Sequence, residues 1–590
     1  MKSLKKQVTV AVLSVPILLS SLGVGYASEA TIPTTVTLPS EPSEGYFVDN
    51  YKNNKSDNKT VDSNPTIGLL SGFNKLWAPG TTWDTGTKLN DSVLDLNIIK
   101  VFNMAYRRTA VESDAAYLDD RRKQSYSVIS GLGSLTDTYR AKAEATTTIN
   151  DVVVDATTQK YSDEGNNAGS TDSSLGNMVG LVNTLRGEFS TTNPAKSYFN
   201  YPRPFRWVNN SLVIPTLIPV RNSDPSSDGG FPSGHTNAAY LSAFALAYAV
   251  PERYQELLTR ASELGNNRIV AGMHSPLDVI GGRVMATAMA AAILSDPDNI
   301  SLKQSAYQDA HSELLTQSGT SSDLYSDYVT NKISYSERLT YGFSQMDSTT
   351  SPIIVPKGAE VLLETRLPYL DNTQRRWVLA TTGLPSGYPV LDDAEGCGRL
   401  NLFAAADGYG AFANNITVTM DSQQGGFNAL DSWRNNISGV GKLTKKGTGT
   451  LKLAGNNTYS GGTQIEQGTL QGDSKTAFGT ASVTNNGGTL LENVDGQLII
   501  GGDYKQTAKG ALELNIGSKK DLLKIKNVAT LNGKLRLNFT DKYVPVNGET
   551  IMTFDKRSGA FSSIETVGLP SKYKVKLIYK SNSVQLEVTK

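Results

Sequence analysis

The segment NRIVAGMHSPLD, residues 267–278, sets Arg268, His274 and Asp278 close together in a chain that owns only 3 histidines in 590 residues. Ser275 and Pro276 read as the N-cap and first position of a following helix, so Asp278 falls in that helix's first turn. A carboxylate four residues after an imidazole can reach back to one ring nitrogen. That bond fixes the tautomer and leaves the other nitrogen with a lone pair for nucleophilic attack. A metal site would use the same two side chains but needs further ligands, and the chain is poor in histidine. A structural His–Asp pair has the same spacing and stays open.

The second histidine lies in FPSGHTNAAYLSAFALAYAV, residues 231–250. Pro232, Ser233 and Gly234 form a turn, and an apolar helix is expected from about His235 to Val250, ended by Pro251. Free N–H groups and the partial positive charge at such a helix start bind phosphate. Gly234 permits close backbone approach, Ser233 adds a hydroxyl, and His235 stands where it could protonate a leaving group. An ordinary capping turn with a chance histidine reads the same way. A third stretch, KSYFNYPRP at 196–204, carries Lys196 and Arg203, with Pro202 and Pro204 biasing Arg203 toward an extended backbone. A preset guanidinium can grip an oxyanion through two parallel hydrogen bonds, although a basic surface loop is the plainer alternative. LPSGYP at 384–389 repeats the Pro-Ser-Gly turn with Tyr388 in the histidine's place and no long apolar helix after it, so it is assigned no role.

The elements that must position these residues are helical. Residues 66–405 show apolar spacing of three and four, as in VLDLNIIKVFNMAYRRTAV and ERYQELLTRASEL. A polar insert within them, TQKYSDEGNNAGSTDSSLG, reads as a surface loop. Residues 28–65 are rich in Pro, Ser, Thr, Asn and Asp and read as a flexible linker or loosely packed arm. Residues 1–27 have the basic start, apolar run and small-residue end of a secretory signal, with a retained anchor as the alternative. The runs AAYLSAFALAYAV and VMATAMAAAIL are too short to span a bilayer and read as buried helices, so no membrane span is expected in the mature chain. Beyond about 410, short Thr/Leu/Val strands are broken by Gly and Asn, and GTGTLKL, GGTQIEQGTL and GGTLLEN are imperfect copies of one another. Strands of alternating polarity between recurring turns suit a β-solenoid over 410–590. The expected fold class is therefore α plus β: an all-α helical bundle, then a β-solenoid.

Lys plus Arg and Asp plus Glu both number 56, so the formal net charge is zero and no nucleic acid is called for as partner. The lone Cys397 excludes an intrachain disulfide, which suits an exported bacterial chain.

Together, Lys196 to Arg203-Pro, Pro-Ser-Gly-His235, and Arg268 to His274 to Asp278 resemble the ordered motifs of one superfamily. It joins the bacterial class A non-specific acid phosphatases, the type 2 phosphatidic acid phosphatases and the vanadium haloperoxidases. The resemblance is strong over 190–285, and AVPERYQELLTRASELGNNRIVAGMHSPLDV is most similar to the class A enzymes. The repeats near 440–475 resemble the autotransporter-associated β-strand repeat. A complete autotransporter would end in a membrane barrel, for which the sequence after the repeats is expected to be too short.

The resemblance implies hydrolysis of phosphomonoesters. His274 would attack phosphorus and form a phosphohistidine, Asp278 would orient it, and His235 would protonate the leaving oxygen and then activate water. Lys196, Arg203, Ser233, Gly234 and Arg268 would surround the phosphate oxygens. It implies no cofactor or metal, with vanadate an inhibitor, or the cofactor of the alternative haloperoxidase activity. The membrane helices of the lipid phosphatase branch are missing from the pattern. Asn267 stands where the family usually has serine, implying modest tuning. His311 matches no motif and is expected at the surface. A surface adhesin with an inactive helical domain is the remaining alternative. The expected location is periplasmic or at the cell surface, with the solenoid contacting that surface or another protein.

Overall fold

The computed structural model describes residues 38–590, so the signal sequence expected at 1–27 lies outside the described residues. The helical part is built chiefly from α1 (Asp91–Arg107), α2 (Ala110–Arg121), α3 (Gly176–Leu185), α4 (Asn193–Phe199), α5 (Gly234–Ala249), α6 (Tyr254–Val270), α7 (Pro276–Ser295), α8 (Ile300–Asp309), α9 (Tyr328–Thr340) and α10 (Asn372–Thr382), with shorter α-helices and 3-10 turns between them. A small antiparallel ribbon, Trp77–Ala78 with Thr87–Lys88, interrupts the all-α expectation.

α5 and α7 are apolar all round, and such helices are stable only when enclosed. α5 lies against both α6 and α7, while α3 and α8 cover its other side. α7 is longer than its apolar run suggested. Its 20 residues make it the one helix among the described residues long and apolar enough to cross a membrane, and it is wholly buried within the fold. Gly282 is what lets α7 approach α5 closely, since a Cβ there would sit 2.6 Å from the Ser233 carbonyl oxygen.

The described part of 28–65 is more tightly packed than a loose arm. Phe47 and Tyr51 are buried, Tyr51 meets Phe189 edge-on at 5.9 Å, and its hydroxyl donates to Asp296 at 2.6 Å. Aromatic burial there outweighs the polar composition that suggested a linker.

After the short helix Leu402–Ala405 the chain turns to strands from Ala411–Phe412 onward, broken only by short helical turns at Ser422–Gln424 and Gly426–Ala429. Two parallel sheets of seven strands each run the length of the solenoid, and a third sheet of five strands covers its later rungs. The sequence copies map onto rungs, with Thr450–Leu453, Thr469–Gly472 and Thr489–Glu492 pairing in parallel and in register. Leu451, Leu470, Leu490, Leu512 and Leu535 thereby form one fully buried inward ladder. Full burial of each contributes about 1.5–3 kcal/mol. The third sheet closes with an antiparallel hairpin, Lys574–Tyr579 and Ser583–Thr589, laid on Glu549–Thr553.

The two parts share one hydrophobic core. Trp433, on the first rungs, is fully buried against Tyr409, and its indole N–H donates to the Tyr369 hydroxyl at 2.8 Å. Asp431 accepts from Tyr369 at 2.5 Å and from Arg366 at 2.7 Å, all within the interior. Removing one partner of a buried ion pair strands the other charge at about 3–5 kcal/mol. Asp431→Ala is therefore expected to lower unfolding free energy by that amount in urea denaturation. An unchanged midpoint and slope would show that the joint carries no such load.

Candidate active site

Lys196 lies near the end of α4, which stops at Asn200 in the left-handed conformation. Tyr201 and Pro202 then pair with the loop at 229–230, through a Gly230 N–H to Tyr201 carbonyl bond of 2.6 Å and a bridge from Pro202 to Gly229. Arg203 follows with extended backbone, φ −65° and ψ 155°, immediately before Pro204. Its guanidinium is fixed on three sides: Nε donates to Asp228 at 2.6 Å, and Nη1 donates to the Met273 carbonyl and to His274 Nε2, both at 2.9 Å. Asp228 also accepts from Arg206 at 2.7 Å, and Lys196 Nζ donates to the Gly229 carbonyl at 3.0 Å. A Cβ at Gly230 would lie 3.1 Å from the Asp278 carboxylate, so glycine admits this loop to the site.

α6 delivers Arg268 at its last turn, 2% exposed and ion-paired to Asp120 at the end of α2. The chain then reverses through Gly272 at φ +73°, where a Cβ would meet the Leu212 carbonyl at 2.1 Å. Met273 and His274 both donate their amides back to the Arg268 carbonyl, at 3.1 and 3.2 Å. Ser275 caps α7 in a capping box, in which Asp278 Oδ2 accepts the Ser275 amide at 2.8 Å. The same oxygen stands 3.2 Å from His274 Nδ1. Arginine has only donors, so the Arg203 contact makes Nε2 an acceptor and puts the ring proton on Nδ1, facing Asp278. The lone pair of Nε2 thus points at the guanidinium that would hold an anion.

α5 begins at Gly234, capped by Ser233, whose amide donates to the Asp278 carbonyl at 2.8 Å. Ser233 Oγ, expected as a donor to the anion, accepts two bonds inside the cap, from the Thr236 amide at 3.3 Å and the Thr236 hydroxyl at 3.0 Å. That leaves its own O–H to offer. His235 is half-buried, with Nε2 3.3 Å from the Asp120 carbonyl. A carbonyl only accepts, so in the neutral ring Nε2 carries the proton and Nδ1 the lone pair.

Burial and crowded positive charge set the protonation states. Burial, reinforced by Arg203 and Lys196, holds His274 well below its ordinary value. Burial and the charges of Arg121, Arg203, Lys196 and Arg186 push His235 down to about 3. Burial, with Arg203 beside it, lowers Lys196 to about 7. Burial raises Asp278 to about 6 against the hydrogen bonds from Ser275. Both imidazoles are therefore neutral at mildly acidic pH, and a bound dianion would draw protons back toward His235 and Lys196.

Motif reading missed the carboxylates that hold these cations. Asp120 takes Arg268 through one oxygen and Arg121 through the other, at 2.7 Å. Asp119 beside it is gripped by Arg260 and accepts from Asn267 Nδ2 at 2.7 Å, so Asn267 belongs to the shell behind Arg268. The only sequence signal was the charged run Asp119 to Arg122, which reads equally as a solvated helix end. His311 lies apart from the motif residues and is half-buried, stacked on Tyr307 at 3.9 Å and 3.1 Å from Glu252. Ser386 of the second Pro-Ser-Gly turn is buried and bonded to the Ser348 carbonyl, also apart from the site.

Helix ends, guanidinia and imidazoles converge here, and the same stretch of chain is the part that resembles known proteins. Residues 174–301, which carry every motif residue from Lys196 to Asp278, match the PAP2 superfamily, and residues 443–471 match the passenger-associated-transport-repeat. The chain carries a PAP2 superfamily domain joined to a passenger-type repeat region. It is 37% identical to a non-specific acid phosphatase of Salmonella typhi over 118 residues, 20% of this chain and 46% of the relative. It is 32% identical over 216 residues to the Neisserial autotransporter lipoprotein NalP of Neisseria meningitidis serogroup B, covering 33% of this chain and 19% of the relative. It is 28% identical over 240 residues to an extracellular serine protease of Serratia marcescens, covering 33% and 23%. The chain thus spans less than half the length of each of these relatives.

Deprotonation of Asp278 at about 6 adds a negative charge and that of Lys196 at about 7 removes a positive one, so both make the site less positive. Affinity for sulfate, whose own charge is constant over this range, is expected to fall as pH rises from 5 to 8. Calorimetric titration checks this, and a flat profile would contradict the assignment of Lys196 and Asp278 to the anion site.

Proposed function

We propose that the helical domain is an acid phosphatase that hydrolyses phosphomonoesters through a phosphohistidine on His274. The observation that carries this is the pair of contacts on one ring: Asp278 behind Nδ1 and Arg203 in front of Nε2, at 3.2 and 2.9 Å. An imidazole so held is neutral, oriented and aimed at a cation, as a nucleophile toward an anionic phosphorus must be.

In the first step Arg203 transfers its hydrogen bond from Nε2 to a phosphate oxygen. Nε2 then forms the N–P bond as the P–O bond to the leaving group breaks. Substrate charge raises the proton affinity of His235, which gives its proton to the departing oxygen. In the second step water attacks the phosphohistidine while His235 Nδ1 takes its proton, and inorganic phosphate leaves. Lys196, Arg203, Arg268 and the α5 N-terminus supply the charge that phosphoryl transfer needs, so the proposed chemistry asks for no metal ion. The similarity to autotransporter and extracellular proteins supports export, with the solenoid as the part that meets a surface or partner.

Hydrolysis of p-nitrophenyl phosphate, with vanadate as inhibitor, tests the activity. His274→Ala is expected to abolish turnover in a folded protein and to remove an acid-labile, alkali-stable phosphoenzyme from quenched reactions. His235→Ala is expected to slow alkyl phosphates ~10²-fold and activated aryl phosphates far less, since general acid catalysis matters most for poor leaving groups. Unchanged turnover in the first variant, or equal losses in the second, would remove those roles.

A further inference from the structure

α1 buries one face and leaves the opposite one bare. Leu94, Asn97 and Val101 are fully buried and form one inner stripe. That stripe is tied to the walls of the site: the Asn97 side-chain oxygen accepts the amide of Leu277, in the first turn of α7, at 3.1 Å. Arg108, the C-cap of α1, donates to the carbonyls of Leu212 and Val270 at 2.6 and 2.8 Å. On the outer face Ile99, Phe102 and Tyr106 are 52%, 51% and 83% exposed. Single exposed apolar side chains are ordinary at a protein surface, whereas a row of them on one helix face marks a contact.

The spacing says what kind of contact. Asp95, Ile99, Phe102 and Tyr106 follow one another at intervals of four, three and four, the alternation of a coiled-coil seam. The Phe102 and Tyr106 rings already lie parallel, 6.4 Å apart with 6° between their planes. A helix held from behind and carrying two aligned rings loses little freedom on binding. The seam is also self-complementary in one orientation. A second α1 laid antiparallel across it sets each Ile99 against a Phe102. It also sets each Asp95 against a Tyr106, whose hydroxyl can donate to the carboxylate. Laid parallel, the same seam would oppose Asp95 to Asp95, two like charges. Asp95 pairs with Lys88 at the edge of its own helix, yet stays 55% exposed and open to a further donor. Ile99, Phe102 and Tyr106 from two copies would bury on the order of 700 Å² together, at the low end of specific interfaces, so the contact is reversible.

We propose that α1 is a dimerisation helix. A second copy of this chain docks its own α1 antiparallel onto the seam of Asp95, Ile99, Phe102 and Tyr106, about a two-fold axis between Ile99 and Phe102. The same patch serves on both chains, so the assembly closes at two copies and does not propagate. The helix that makes the contact is the one whose inner face holds the first turn of α7. The dimer does not depend on the phosphatase function proposed above.

Sedimentation velocity of the full chain tests the dimer. Between ~1 and ~200 µM the mass is expected to rise from that of one chain, 63.4 kDa, toward twice that value. Phe102→Asp changes an exposed position and is expected to keep the melting temperature of the unaltered protein. It should weaken dimerisation ~10²-fold or more, because each dimer loses the residue twice. Cross-linking reads the orientation, and the buried Cys397 does not interfere. Under mild oxidation a mixture of Asp95→Cys and Tyr106→Cys chains is expected to give a disulfide-linked dimer. Either variant alone is not, since like positions would lie about 16 Å apart along antiparallel helices. Unaltered protein that stays monomeric at ~200 µM overturns the proposal, as it would if the chain's own residues 1–37 covered the seam. A dimer that survives Phe102→Asp, or that either cysteine variant alone cross-links as well as the mixture, overturns it too.

Discussion

The arrangement depends on one carboxylate. Asp278 closes the capping box of α7, stands behind the Nδ1 of His274, and has the loop at Gly230 pressed against it. Its backbone carbonyl accepts the amide of Ser233 and so ties the start of α5 to the start of α7. Two helix N-termini and the His274 imidazole are thereby held to one another. Because the cap and the imidazole share one oxygen, the orientation of the His274 ring is tied to the helix terminus itself. Charge on Asp278 costs desolvation free energy, which is why burial raises it, and the hydrogen bonds from Ser275 offset part of that cost.

A site with this many buried charged groups needs a fold that can bear it. α5 and α7 supply that support, being apolar on every side and enclosed by α3, α6 and α8. Their burial fixes the backbone at the polar ends, where the residues of the candidate site lie. Partition of roles along one helix, apolar body and charged tip, lets a site of high electrostatic cost sit on a stable core.

Much of the site was legible because its decisive relations are local. His274 and Asp278 lie one helical turn apart, Ser275 and Pro276 mark the cap between them, and Ser233 precedes the helix it caps. Such relations follow from spacing alone. Asp120 and Asp228 were not legible, since their partners Arg268 and Arg203 lie far along the chain and nothing in a single sequence reports that contact. In the solenoid the repeats of Thr and Leu announced the stacking of rungs, since each inward leucine recurs at the same place in its strand. The seam at Trp433 and Asp431 was invisible for the reason that hid Asp120: Arg366 and Tyr369 lie in a turn of the helical part, their partners lie in a strand, and no periodicity connects them. The polar composition of 28–65 pointed to a loose arm because composition averages over residues, whereas Phe47 and Tyr51 fix the packed part individually.

The seam changes what the solenoid can be. A passenger tethered by a flexible linker would move independently, and its loss would leave the helical domain intact. Here Tyr369 and Arg366 from the helical part are completed by Trp433 and Asp431 from the first rungs, within one continuous core. Cutting near 410 would expose an aromatic surface and leave Arg366 without its carboxylate, so the two parts fold and persist together. The stacked rungs then act as a stiff extension of the α6 and α10 side of the helical domain. Whatever the far rungs meet, the helical domain is held at a set distance and orientation from it, because parallel strands in register stack each rung directly on the next.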